Sequence, residues 1–378
     1  MVTSIRMMTR IACSKYVGIA LLVIWSYVTT ASVKEGTHMQ KTILVVGGAG
    51  YIGSHTAYQL AQLGYHVVIL DKLLHKQPWP HTWATLIHAD FGDKEMLHTI
   101  FTKYHVEAVM HFAAFIEVGR SVKEPASYYD NNVVKTLTLL NSMLEHGVKT
   151  IIFSSSCAVY GTPQKLPLTE DHPKNPISPY GTTKLMIEMI LQDYATAYDL
   201  HYVALRYFNA AGALPEHGLG EYHDPESHVI PLLLRAARNK TIFNIFGTDH
   251  ATPDGTCIRD YLHVLDIADA HVKALAYLQA GNPSECFNLG TGTGASVKEL
   301  IGAVEKVCGT SLTINYASKR AGDPAILVAD PRKARDVLGW QPHYSDLTKI
   351  LRDAYEFENL VKGLATLGAP KSVALRNP

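Results

Sequence analysis

Two hydrophobic periodicities alternate along this chain. Residues 41–46 (KTILVV) form an unbroken apolar run rich in β-branched side chains, the pattern of a strand buried on both faces of a parallel sheet. Glycines follow at once, then an apolar helical pattern through Leu63, with Gly64 as its stop signal. Residues 66–70 give the next strand, which ends in Asp71. Further strands are predicted at 85–88, 108–112 and 150–154, with helices at 94–104, 127–146 and 179–198. Ser178 suits the cap of that last helix and Pro179 its first position. Strand–helix alternation of this kind predicts an α/β fold built on a doubly wound parallel sheet. Beyond Ala210 the pattern loosens. Helices are predicted at 229–238, 266–278 and 297–308, the last opened by a Ser296/Glu299 capping box, and they fit a smaller α/β lobe.

The first forty residues depart from this alternation. Arg6, Arg10 and Lys15 precede an apolar run over 16–28, and Thr29, Thr30, Ala31 and Ser32 follow, which is the layout of a secretory signal. The run is short against the ~20 residues of a membrane span. It reads as a signal or anchor, as the product of a start codon placed too early, or as an extra helix. Met39, just ahead of the first strand, favours the second reading. Membrane contact is expected only if this extension is real.

Composition narrows the picture further. Hydrophobic residues make up 47% and charged residues 18%, which excludes general disorder. Lys+Arg and Asp+Glu balance at 34 each, so nothing draws the chain as a whole to nucleic acid or to anionic membrane. Any phosphate must be held by local groups. The 5 cysteines are scattered and form no C-x-x-C, which fits reduced thiols in a cytoplasmic setting. The 19 histidines show no His-x-x-His or His/Cys spacing, and no metal is expected.

Candidate chemistry begins at the first turn. Gly47, Gly50 and Gly53 are spaced G-x-x-G-x-x-G between strand and helix, with Tyr51 and Ile52 opening the helix. One glycine permits the tight turn, another lets backbone approach a pyrophosphate, and a third lets helix pack on strand, while the helix N-terminus faces the phosphate charge. Asp71, at the end of the second strand, is placed to accept hydrogen bonds from the adenosine ribose hydroxyls and to repel a 2′-phosphate, which favours NAD over NADP. Lys72 beside it softens that argument. Ligands of such sheets lie at strand carboxyl ends, where Asp90-Phe91, Phe112-Ala113 and 154–156 fall. Asp90 is a candidate for adenine, and Phe112 and Ala113 for flanking the cofactor; strand-end packing is the alternative for each.

A second constellation lies on helix 179–198. Tyr180 and Lys184 are four apart and share a face. A free phenol, with a pKa near ~10, is a poor base, but a nearby ammonium and a cationic nicotinamide favour phenolate. Tyr180 is then a candidate to take a proton from a sugar hydroxyl during hydride transfer, with Ser156 holding that hydroxyl or relaying its proton. A Tyr-x-x-x-Lys pair alone is commonly a surface pair; the glycine loop and the Ser-rich strand end give it weight.

With these residues in view, the chain from Met39 to about Asn359 resembles the UDP-glucose 4-epimerases of the extended short-chain dehydrogenase superfamily. The resemblance is carried by VVGGAGYIGSH, HFAA, YYDNNV, FSSSCAVYG, SPYGTTK, LRYFNAAGA, DGTCIRDYLHV, FNLGTG and RAGDPA. It implies a Rossmann-like sheet that holds NAD and a smaller C-terminal α/β lobe that holds a UDP-hexose. The expected boundaries are an N-terminal extension over 1–38, the NAD-binding domain over 39–209, the nucleotide-sugar domain over 210–360 and a tail over 361–378. It further implies Tyr180 as base, Lys184 as the residue that binds nicotinamide ribose and tunes Tyr180, and Ser156 as their assistant. Asn132, Tyr207 and Phe208 would help seat the cofactor. Asn209 would bond the diphosphate, Arg259 and Arg320 would grip it, since guanidinium suits phosphate, and Asp323 would bond the uridine ribose. His228 stands where relatives carry Asn or His. Leu327 stands where a bulky Tyr would exclude an N-acetyl group. A homodimer pairing helices 127–146 and 179–198 is the family's manner of assembly. One departure is Ile116-Glu117 after the HFA strand, where some relatives carry Lys.

The nearest rival is nucleotide-sugar 4,6-dehydration, which starts with the same C4 oxidation but needs an acid and a base for elimination. Dehydratases resembling this chain follow their Ser/Thr with Asp-Glu; here Ser156 is followed by Cys157-Ala158. A decarboxylase or pyranuronate epimerase needs a cation for a substrate carboxylate, and none is evident. A non-catalytic NAD-sensing protein would have lost Tyr180 or Lys184.

Overall fold

The computed structural model describes residues 40–73, 82–223, 225–320 and 324–366. Seven strands form one sheet: β1 (Thr42–Val46), β2 (His66–Asp71), β3 (Thr85–His88), β4 (Val106–His111), β5 (Thr150–Ser154), β6 (His201–Tyr207) and β7 (Glu285–Leu289). Their spatial order is β7-β6-β5-β4-β1-β2-β3, and every neighbouring pair is parallel. Strand order reverses between β1 and β4, so the carboxyl ends of these two strands open a crevice, the usual ligand position in such sheets.

Strand periodicity sends alternate side chains to opposite faces. Ile43, Val45, Val67, Ile69, Val203 and Leu205 pack with α1 (Tyr51–Gln62) and, through Ile267, Ala270 and Ala274, with a helix over Val264–Gln279. Leu44, Val46, Val68, Leu70, Ile151 and Phe153 face the other way. There they meet α2 (Lys94–Tyr104), α3 (Lys135–Glu145) and α4 (Pro179–Tyr198) through Leu97, Leu140 and Ile187. Two-sided burial explains why these strands read as apolar runs rather than as alternation. A further core joins α5 (Val229–Asn239), α7 (Val297–Cys308) and α9 (Leu347–Thr366), where α6 is Val264–Gln279 and α8 is Arg332–Leu338, through Leu233, Leu300 and Ile350.

Most predicted elements recur within a residue or two at each end. The helix expected over 127–146 differs: a short helix over Pro125–Tyr128 passes into a π-helical turn over Tyr129–Val134 before α3 begins. The wider turn holds Asn131 and Asn132 buried, and Asn132 meets the loop after β4. The large sheet also takes β7 from far beyond residue 209. The signal-like segment over 1–38 and residues 367–378 of the expected tail lie outside the described residues, while 361–366, expected as tail, continue the helix Leu347–Thr366. No described helix is long and apolar enough to cross a membrane.

Candidate active site

Gly47 has φ +78°, and a Cβ there would fall 2.5 Å from the Ala113 nitrogen. A Cβ on Gly53 would fall 2.3 Å from the Gly47 carbonyl oxygen. The turn therefore has no room for a side chain at Gly47 or Gly53, and it leads straight into the N-terminus of α1, which Gly50 caps. This is a backbone cradle for an anion, and the donor set fits a dinucleotide pyrophosphate. Asp71 closes the next strand. Its carboxylate accepts from Ala49 N at 3.0 Å and Leu73 N at 2.7 Å, so it is fixed beside the cradle.

One cleft of about 900 Å³ starts at this cradle. Gly47, Gly50, Tyr51, Ile52, Gly53, Asp71, Phe91, Phe112 and Ala113 line one part. Ser156, Tyr180, Tyr207, Phe208 and Asn209 line the middle, and His228, Arg259, Arg320 and Leu327 the remainder. Three expected residues, Asp90, Asn132 and Lys184, do not line the cleft. Asp90 turns to Lys72 and to Lys135, at 2.7 Å from the latter. Burial acts to raise its carboxyl, and the hydrogen bonds from Lys135 and Lys72 outweigh it, so the group titrates below the usual carboxylate range. Asn132 does not border the cleft. It accepts from Phe115 N at 2.8 Å and donates to Phe115 O at 3.0 Å and to the Thr183 hydroxyl at 3.1 Å. It thus ties the loop after β4 to the helix that carries Tyr180. Asp323 lies outside the described residues.

Helix α4 sets the chemical centre. Ser178 caps it by accepting from Gly181 N, and Pro179 opens it, as the sequence predicts. Tyr180 is 9% exposed and Lys184 3%. The Lys184 ammonium donates to Ser154 O at 2.7 Å and lies 6.0 Å from the centre of the Tyr180 ring. Burial brings the Lys184 ammonium down to about 7, with Glu188 opposing the fall. Tyr180 differs from the sequence-based expectation of a lowered phenol. Burial pushes it well above its usual value, neighbouring Tyr207 adds to this, and a hydrogen bond with Ser156 pulls the other way. Desolvation of the ring is thus the main force that holds the phenol proton.

Sequence reasoning missed what lies behind this face. Glu188, one turn beyond Lys184, pairs in bidentate fashion with Arg206 at 2.9 Å and 2.7 Å, and both side chains are buried. Ser155 donates to the same carboxylate at 2.6 Å, and Arg206 donates to the Tyr160 hydroxyl at 2.8 Å. The pair pins α4 to β5 and β6 where the Ser-rich strand end emerges. The i, i+4, i+8 spacing of Tyr180, Lys184 and Glu188 was the available signal. Burial pushes the Cys157 thiol up to about 12, so the residue after Ser156 is no substitute for a dehydratase acid–base pair.

On the other side of the cleft, Arg259 donates to Ile258 O at 2.8 Å, and the Arg320 guanidinium stacks 3.9 Å from the centre of the Phe246 ring. The two-residue strand Ile326–Leu327 runs parallel to Ile258–Arg259, which sets Leu327 opposite Arg259. Leu327 both borders the cleft and packs on the cluster of Val159, Tyr160, Leu168 and Phe208. Asn209 donates to Asp260 O at 3.0 Å. Glu221, Tyr222 and His223 also border the cleft and were not foreseen.

Known proteins resemble this chain over most of its length. The pattern of the NAD dependent epimerase/dehydratase family matches residues 43–290. A UDP-glucose 4-epimerase of Rhizobium meliloti (strain 1021) is 51% identical over 318 residues, 84% of this chain and 97% of the relative. The crystal structure of UDP-glucose 4-epimerase from Brucella ovis in complex with NAD is 47% identical with a TM-score of 0.80, covering 83% of this chain and 97% of that one. That of the Bifidobacterium longum enzyme in complex with NAD+ and UDP is 36% identical with a TM-score of 0.78, covering 85% and 98%. A Rossmann-like parallel sheet, a cleft that joins a glycine cradle to Tyr180, and a buried Lys184 behind that ring, together with these likenesses, identify the chain as a member of the NAD dependent epimerase/dehydratase family, among its UDP-glucose 4-epimerases.

Proposed function

We propose that the cleft interconverts UDP-glucose and UDP-galactose by inverting C4 of the hexose, with NAD retained through each cycle. The observation that carries this reading is Tyr180 bordering the same cleft as the glycine cradle, with the Lys184 ammonium buried 6.0 Å behind its ring. When bound, NAD supplies a reversible hydride acceptor. The chain's own groups then divide the work. The Tyr180 hydroxyl holds the sugar's C4 oxygen and exchanges its proton. Ser156 bonds the same oxygen. Lys184, anchored on Ser154 O, orients the cofactor ribose and favours the phenolate. Arg259, Arg320 and Asn209 hold the diphosphate, and Asp323 the uridine ribose. Ala89, Phe91, Phe112 and Ala113 form an apolar wall for the dinucleotide, and Tyr207 and Phe208 close its nicotinamide end. His228 and Leu327 border the hexose.

On this reading residues 39–209 carry the cofactor and 210–360 the nucleotide sugar, with β7 and α6 completing the cofactor sheet. We further propose a cytoplasmic homodimer. Exposed Val134, Met189 and Tyr198, on the elements expected to pair, support it. The deciding experiment incubates purified protein with UDP-galactose, without added NAD, and follows products by NMR. UDP-glucose should appear in equilibrium proportion. A 4-keto-6-deoxy product would make the chain a dehydratase, and no turnover would remove the proposal.

A further inference from the structure

The segment that leads into α5 gathers a side-chain cluster of which only His228 has a place in the proposed epimerase site. Glu221, His223, Glu226 and His228 each offer one ligand atom, and these atoms all lie within 4.8 Å of one another. His223 Nδ1 is 3.3 Å from Glu221 Oε1 and 3.7 Å from Glu226 Oε1. His228 Nδ1 meets the same Glu221 oxygen. Zinc with bonds of about 2.0–2.2 Å in tetrahedral geometry spaces its ligand atoms about 3.3–3.6 Å apart, so the two His223 separations already approach a coordination shell, and His228 would draw back from Glu221 to admit the ion.

Charge points the same way. The Glu221 and Glu226 side chains are 8% and 2% exposed. Two carboxylates kept from water need positive charge beside them. Arg235 reaches Glu226 only at 3.5 Å and is committed to Glu358 at 2.9 Å, and no ion pair with Lys or Arg reaches Glu221 among the described residues. A divalent cation shared by two carboxylates and two neutral imidazoles makes the cluster neutral. Nothing in the spacing Glu-x-His-x-x-Glu-x-His matches the usual finger patterns, so the sequence analysis expected no metal; the chain has to turn before the four atoms converge.

We propose that Glu221, His223, Glu226 and His228 form a structural zinc site. Two nitrogen and two oxygen donors are a borderline set that suits zinc, and four protein ligands leave no open position for chemistry. Glu221, His223 and His228 also border the cleft, as do Ile230 and Pro231 of α5. The metal would cross-link this wall of the cleft to the first turn of α5, holding His228 by one ring nitrogen and fixing the wall against which a ligand rests. The site stands or falls independently of the epimerase reading.

The test uses the full chain, purified without an affinity tag and dialysed against zinc and then against metal-free buffer. Elemental analysis should give about one zinc per chain. Exchange for cobalt(II) should produce the visible absorption of a tetrahedral ion. Chelation should lower the melting temperature, and zinc should restore it. His223→Ala and Glu226→Gln should each lose the metal and the response to chelator. If His223→Ala does not fold, Glu226→Gln, which is nearly isosteric, decides. Three outcomes would overturn the proposal: wild type with less than about a tenth of an equivalent of metal, zinc retained by both variants, or an octahedral cobalt spectrum. The first would leave the cluster as a proton-shared network of imidazolium and carboxylate.

Discussion

At Tyr180 a phenol whose proton is held tightly by burial must nonetheless exchange that proton. The counterweights are the Ser156 hydrogen bond, the Lys184 ammonium and the positive charge of a bound nicotinamide, each of which favours phenolate. Tyr180→Phe removes the exchangeable proton and should lower turnover by about 10²–10⁴-fold with NAD still bound, measured by steady-state kinetics and cofactor content. Asp71 is held by two backbone donors, so its charge stays aimed at the ribose position. Lys72, which blurs this reading in the sequence, is paired with Asp90. The protein should therefore bind NAD more tightly than NADP in titration, and Asp71→Ser should narrow the gap. Leu327 leaves more room beside the hexose than Tyr. Both plain and N-acetyl UDP-hexoses should turn over, and Leu327→Tyr should cut kcat/KM for the N-acetyl form alone by about 10–200-fold, the usual worth of a misfit in an apolar pocket. The residues that were legible were those whose chemistry is fixed by neighbours in sequence: the glycines by a turn, Asp71 by a strand end, Tyr180 and Lys184 by one helix face. Asp90 was placed by its strand end and Asn132 by resemblance, but their side chains went to partners distant in the chain, Lys135 at 45 positions and Thr183 at 51.

Elements were legible where periodicity and caps agree. Helix α7 carries the predicted capping box, with Ser296 accepting from Glu299 N and Glu299 accepting from Ser296 N. The π-helical turn over Tyr129–Val134 was not legible, because one extra residue in a turn leaves helical composition unchanged. Its reason is tertiary: it delivers Asn132 to both peptide groups of Phe115. The same stretch and α4 present Val134, at 53% exposed, and Met189, at 60%, to solvent. If these elements pair between two copies, Met189→Asp should convert a dimer into a monomer in sedimentation velocity while leaving the cofactor cradle filled. An unchanged mass would place the contact elsewhere.

Across the whole molecule, burial of histidine sets the response to acid. Burial holds His55 and His271 down to about 4 and His111 down to about 3. In the unfolded chain each takes a proton near pH ~6.5, so between that value and the folded ones the unfolded state binds more protons. The stability that these three groups contribute is therefore full above about pH 6.5 and is lost as pH falls toward their folded values. Melting temperature against pH should show that decline, and His111→Gln should make it shallower. The sheet has a consequence of another kind. Strand β7 covers the edge of β6, yet α5 and α6 are made between them. A nascent chain emerging from the ribosome carries β6 with a bare hydrogen-bonding edge, and with Val203 and Leu205 lacking the helix that shields them, until both helices and β7 have followed. Distant pairing of this kind closes slowly and leaves sticky intermediates. Synthesis of this protein should therefore depend on chaperones that hold unpaired strands, and a polypeptide halted at residue 209 should aggregate rather than wait.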